Sequence, residues 1–140
     1  MGVRKRNSAE KLADVRRSLA YAKLNSCPTS PRKMRLVADL IRGVEINKAI
    51  SVLKYCPKAS SITLEKLLYS AVVNWQSKNE NDKIEDQNLI VKEVQVNSAS
   101  SIKRMRPAPQ GRGHRIRKRS NHVIITIGNK EEKNTKNTVK

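Results

Sequence analysis

Phenylalanine is absent from this sequence, and its 140 residues include only one tryptophan and three tyrosines. Proteins that read single-stranded bases by stacking them on an aromatic sheet need Phe and Tyr, so that class is excluded. Cysteine is as scarce. Cys27 and Cys56 stand far apart, too few for a disulfide framework, and no Cys-x-x-Cys or His-x-x-x-His spacing joins them to His114 and His122 in a zinc site. Two ordinary thiols, no metal and a reducing cytoplasm are expected. No apolar run approaches the roughly 18 residues that a membrane-spanning helix requires. The basic start, MGVRKRNSAEKLADVRRSLA, is not followed by an apolar stretch, and Glu10 and Asp14 interrupt it. Neither a secretory signal nor a transit peptide is therefore expected, and Arg6 stands where a myristoylated chain needs Ser or Thr.

Acidic residues are the most telling scarcity. Asp and Glu number 12 against 30 Lys and Arg, a net charge of +18, and no acid occurs between Val94 and Lys130. A charge of that size opposes compaction by self-repulsion unless it lies against a polyanion. Nucleic acid is the first candidate and an anionic membrane surface the second. The densest group of acids, Glu80, Asp82, Glu85 and Asp86, lies in a polar loop. A metal-dependent nuclease would need them clustered around a site. No P-loop, dinucleotide fingerprint or triad signature is present, and His114 has no carboxylate, Cys or Ser partner in a plausible motif. The chain reads as a binding protein without enzymatic activity or cofactor.

The length suits one compact domain with some tail at either end. Residues 1–18 are polar and basic, a loose helix or a segment that orders on binding. Leu19, Tyr21 and Lys23 alternate with small residues, as in a short strand. Ser30 reads as an N-cap and Pro31 as the first helical residue, followed by an apolar stripe of Leu36, Val37, Leu40 and Ile41 and a stop at Gly43. A second helix places Ile46, Ala49, Ile50 and Leu53 at helical spacing and ends before Pro57. A third, from about Pro57 to Lys78, carries Leu64, Leu67, Leu68, Ala71, Val72 and Trp75 on one stripe, which makes Trp75 a core residue; Tyr69 lies off it. Then the period changes. Residues 89–96 read as a strand with Ile90, Val94 and Val96 on one face, and residues 123–127 as its partner. From Gly128 onward the sequence is a polar tail.

Between those strands lies IKRMRPAPQGRGHRIRKR, residues 102–119, with eight Arg or Lys, two prolines and two glycines. It is the far end of a long hairpin, spanning about 94–124. By the two-residue period Arg115, Arg117 and Arg119 share a face with Val123, Ile125 and Ile127, so one face turns from apolar to cationic along the strand. The base should pack on the helices and the outer part should leave the body. Measured from Val94, such an arm reaches on the order of 45–50 Å. Pro107 and Pro109 lack amide donors, so an irregular tip is expected. A second basic cluster, Arg32, Lys33 and Arg35, sits in the first turn of the Pro31 helix, where a bound phosphate would offset the unfavourable dipole. The main rival is a DNA-bending architectural protein, which also joins helices to a basic ribbon with a tip proline. The length of the arm, and charge on both its strands, favour burial in RNA.

The segments AYAKLNSCPTSPRKMRLVADLIRG, AISVLKYCPKASSITLEKLLYSAVVNW, LIVKEVQV and IKRMRPAPQGRGHRIRKRSNHVIITIG resemble the universal large-subunit ribosomal protein twenty-two family, of bacterial type, over residues 20–128. The resemblance implies an α+β fold: three helices packed on a small antiparallel sheet, with a long protruding β-hairpin arm threaded through ribosomal RNA. The domain would run over 19–128, after a basic extension at 1–18 and before a polar tail at 129–140. It implies that Lys103, Arg104, Met105, Arg106, Pro107, Ala108, Pro109 and Gln110 form the tip region, with Met105 to Gln110 on the exit-tunnel wall near the family's macrolide site. Arg112, Arg115, Arg117, Lys118 and Arg119 would hold the returning strand on RNA, and Arg32, Lys33 and Arg35 would anchor the body. The implied partners are large-subunit ribosomal RNA, neighbouring ribosomal proteins and the nascent peptide, in the cytoplasm, with no membrane and no homo-oligomer. Many members carry an acid and a glycine just before the arm, where this chain has Asn97, Ser98, Ala99 and Ser100.

Overall fold

The computed structural model describes residues 2–79 and 88–129. The elements run α1 (Val3–Ser18), β1 (Ala20–Cys27), α2 (Pro31–Ile41), α3 (Ile46–Tyr55), α4 (Ala59–Lys78), β2 (Leu89–Pro107) and β3 (Gly113–Asn129), with a 3-10 turn at Pro109–Gly111. The strands form one antiparallel sheet in the order β1-β3-β2. β1 reaches only as far as Asn121 on β3, so the sheet is three strands wide at its base and two strands wide beyond. The acid-rich loop lies largely outside the described residues, as does the tail from residue 130; β3 itself continues to Asn129, paired with Leu89.

One face of the three-stranded part carries the core. Ala20 and Ala22 of β1, Leu89, Val91, Val94 and Val96 of β2, and Val123, Ile125 and Ile127 of β3 are buried against α2, α3 and α4. The small side chains of β1 let α4 lie close, with Leu64, Leu67, Leu68, Ala71 and Trp75 inward and Tyr69 exposed. The stripe expected on α4 is therefore buried, with Val72 half-buried at its edge.

Four local expectations are corrected. On α2 the buried residues are Pro31, Met34, Val37, Ala38 and Ile41, while Leu36 and Leu40 are exposed. The helix is apolar on two sides, and the side bearing Met34 and Ala38 also follows the i, i+3, i+4, i+7 spacing. Ser30 takes the extended N-cap backbone but makes no side-chain capping bond; Pro31 at the first turn sets the helix start. α4 begins at Ala59 rather than Pro57, and the Ser61 hydroxyl donates to the Lys58 carbonyl at 2.7 Å within the first turn. On β2 the buried side chains are Leu89, Val91, Val94 and Val96, with Ile90 half-buried. A bulge between Val91 and Glu93 adds one residue to β2 against β3, which reverses the alternation and moves Ile90 off the core face.

Side chains and a loop cover both edges of the sheet. At β2, Gly43 (φ 76) turns α2 so that its N–H meets the Val91 carbonyl at 2.9 Å, and the Val91 N–H returns to Val44 at 3.0 Å. Arg42 then donates to the Val94 carbonyl at 3.1 Å, and Arg35 donates twice to the Val96 carbonyl, at 2.9 and 3.2 Å. At β1, Lys78 reaches the Leu19 carbonyl at 2.7 Å and Asn74 the Tyr21 carbonyl at 3.0 Å. Exposed strand edges template aggregation, and these contacts occupy their acceptors.

Candidate nucleic-acid interface

Beyond Ser98 and Asn121 the two remaining strands leave the body as the arm. The end of the span read as arm, residues 94–97 and 121–124, belongs instead to the three-stranded part. The ten residues from Ser98 to Pro107 give the free arm a reach of about 33 Å at 3.3 Å each. Its ladder pairs Lys103 with Arg117, Arg104 with Ile116, Met105 with Arg115, Arg106 with His114 and Pro107 with Gly113. Directly paired residues share a face. Lys103, Arg115, Arg117 and Arg119 therefore project on one side, and Arg104, Arg106 and Lys118 on the other, with Ile102 and Ile116 between them.

From Ile102 to Arg119 every residue is exposed except Ala108, which is half-buried. Lys103 directly opposes Arg117, a like-charge pair that weakens a ribbon in water. The arm has no acid to relieve it. Both observations point to an anionic surround that contacts both faces.

The ladder is more regular toward the tip than the prolines suggested. Pro107 is the last paired residue of β2, where its missing donor interrupts nothing beyond it. Irregularity is confined to residues 108–112. The Ala108 N–H meets the Arg112 carbonyl at 2.8 Å, and the turn between them holds Gln110 at φ 64 and Gly111 at φ 71. Two consecutive residues in the left-handed region reverse the chain within one tight turn.

The junction of arm and body centres on Asn121, a residue that sequence reasoning passed over. It is fully buried and its amide nitrogen donates to the Thr29 carbonyl at 2.7 Å and the Thr29 hydroxyl at 2.8 Å. The register of β1 shifts between Leu24 and Cys27, and that of β2 between Ser98 and Ser101, so both neighbours of β3 bulge beside Asn121. Bulges bend a strand and increase its twist. On either side of Asn121, the Ser120 hydroxyl donates to Ser100 and the Ser26 N–H donates to His122 Nδ1 at 3.0 Å. The available signal was positional: a lone amide on the strand face between Arg119 and Val123.

On α2, Arg32 and Lys33 are exposed in a first turn that contains no acid. Arg35 is drawn to the foot of the arm by its bonds to Val96, two residues before Ser98. Arg42, also unassigned from sequence, is held between Asp39 at 2.7 Å and Val94. Cys27 is buried and Cys56 half-buried, both as free thiols.

Known proteins match this sequence over most of its length. The family described as Ribosomal protein L22p/L17e matches residues 22–128. The large ribosomal subunit protein uL22 of Christiangramia forsetii is 58% identical over 128 residues, 91% of this chain and 95% of that protein. Its counterpart in Flavobacterium johnsoniae is 56% identical over 128 residues, 91% and 93% of the two chains. That of Bacteroides fragilis is 53% identical over 137 residues, 98% of this chain and 100% of the relative. With α2, α3 and α4, nearly all of the sheet and the complete arm inside the match, this chain belongs to the Ribosomal protein L22p/L17e family.

Proposed function

We propose that the chain is a structural constituent of the large ribosomal subunit, that its arm is embedded in ribosomal RNA, and that its tip forms part of the nascent-peptide exit tunnel. The observation that carries this reading is the arm: an acid-free ribbon, cationic on both faces and exposed along its length. Two strands alone are at best marginally stable in water. RNA on both sides supplies phosphates to Lys103, Arg115, Arg117 and Arg119 on one face, and to Arg104, Arg106 and Lys118 on the other. Arginine is suited to this role because its planar fork takes phosphate in two parallel hydrogen bonds. Arg112 enters the same RNA at the return from the tip. Met105, Arg106, Pro107, Ala108, Pro109 and Gln110 face the tunnel and the peptide passing through it.

Arg32 and Lys33 anchor the body, and Arg35 serves twice, against RNA and as the brace of β2. Residues 19–128 form the ribosomal unit. The partners are ribosomal RNA, neighbouring ribosomal proteins and the nascent chain, and the location is the ribosome of a bacterial cytoplasm. Among the described residues no helix is long and apolar enough to cross a membrane.

Sedimentation of a gentle lysate, with subunits separated at low magnesium, tests the assignment. The protein is expected with the large subunit after a moderate salt wash. Sedimentation with chromosomal DNA would overturn it and favour the DNA-bending architecture.

A further inference from the structure

α1 stands apart from the rest of the molecule. Its connection to β1 is pinned to α4 by the bond from Lys78 to the Leu19 carbonyl, yet residues 2–12 of the segment before it are all exposed. Neither Val3 nor Leu12 is covered, at 67% and 58% exposure. They are nine residues apart, about half a turn out of phase, so α1 has no apolar stripe. That geometry disfavours a membrane surface and a protein groove, both of which need an apolar face.

The charges are arranged differently. Six cations, Arg4, Lys5, Arg6, Lys11, Arg16 and Arg17, stand against Glu10 and Asp14. At about 100° per residue, Arg4 and Lys11 make one row, and Lys5 and Arg6 begin two others about 100° and 200° further round. These three rows lie on different sides of the helix. The two acids share the remaining sector, where Glu10 pairs with Arg6 at 3.5 Å. A helix of 16 residues without a packed face is marginal in water. Cations on three sides suit a groove with phosphates on more than one wall.

We infer that α1 is a second RNA-docking element, separate from the arm: a cationic helix of about 24 Å that enters a phosphate-lined groove and is consolidated there. The inference rests on RNA as the partner of this chain, and its test separates the two claims. Binding of the full chain to protein-free large-subunit ribosomal RNA is measured across a salt series. It is compared with the variant Arg4→Gln, Lys5→Gln, Arg6→Gln, Lys11→Gln, and with Arg115→Gln, Arg117→Gln, Arg119→Gln. Glutamine keeps helix propensity, and the substituted residues are exposed, so the body should stay folded.

Each lost phosphate contact lowers the slope of log affinity against log salt by about 0.7–0.9. The α1 variant should lose about 3 from the slope, and the arm variant about 2 to 3. Amides of residues 3–18 should exchange quickly in the free chain and slowly in the complex. An unchanged slope for the α1 variant, with a reduced slope for the arm variant, overturns this inference alone. Unchanged slopes for both overturn the RNA reading as well. A reduced α1 slope without amide protection overturns the helix as the docking form.

Discussion

β2 and β3 each contain two proteins' worth of chemistry in one continuous strand. At the base, Val94, Val96, Val123 and Ile125 are buried under three helices. Farther out, with β3 unbroken and β2 shifted by its bulge, the same face carries Lys103, Arg115 and Arg117, all exposed. The backbone ladder hardly differs between the halves. What differs is the source of free energy: apolar burial holds the base, and the outer half has no such burial, which under the proposed function RNA contacts replace. Folding and binding are thereby separated along one hairpin, with Asn121 at the boundary.

The sharpest way to break this comparison is to reverse charge in the outer half. Arg115→Glu, Arg117→Glu, Arg119→Glu together should weaken RNA binding on the order of a thousandfold and block entry into the subunit, while the thermal unfolding of the isolated chain changes little. Deleting residues 105–110 should spare assembly far more, which subunit profiles from cells carrying each variant would show. If the deletion blocks assembly and the reversal does not, the roles given to stem and tip are exchanged.

A matched pair of truncations probes the base. Ile125→Ala, at a fully buried position, should cost about 2–5 kcal/mol in urea unfolding. Ile116→Ala, exposed on the arm, should cost within about 0.5 kcal/mol. Equal losses would mean that the arm is folded by the chain itself.

Asn121→Ala addresses the boundary. Losing both bonds to Thr29 should cost about 1–3 kcal/mol and loosen the arm's exit angle, seen as faster amide exchange at residues 98–101 and 119–122. The smallest effect is expected at the tip. Gln110→Gly removes the side chain from a positive-φ position and should stabilise the turn by about 1 kcal/mol or less. Slower exchange at the Ala108 amide, with no change in global unfolding, would record it.

Much of this architecture was legible beforehand because its signals are local. The Ile46, Ala49 and Leu53 spacing, the long stripe of α4, and the pairing of residues 89–96 with 123–127 follow from periodicity. The parity linking Arg115 to Ile127 holds because both bulges near Asn121 fall on β1 and β2, leaving β3 unbroken. Where sequence reading went astray, two local options were nearly equal. α2 is apolar on two sides, and Leu36 with Leu40 makes as good a stripe as Met34 with Ala38. Ile90 lies in phase with Val94 only in a strand without a bulge. Arg35 and Arg42 look like any surface cation until β2 presents its open carbonyls to them.

The sequence by itself determined the identities of α2, α3 and α4 and of the paired strands, the shared face of Arg115, Arg117 and Arg119, and the membership of the chain in its family. Those properties depend on residue type and near-neighbour spacing. Only the tertiary structure decided which side of α2 is buried, where β2 shifts register, which arginines close the sheet edge and where the arm leaves the body. Each of these choices is made by contacts between residues far apart in the chain, where packing and hydrogen-bond satisfaction separate alternatives that local propensity leaves almost degenerate.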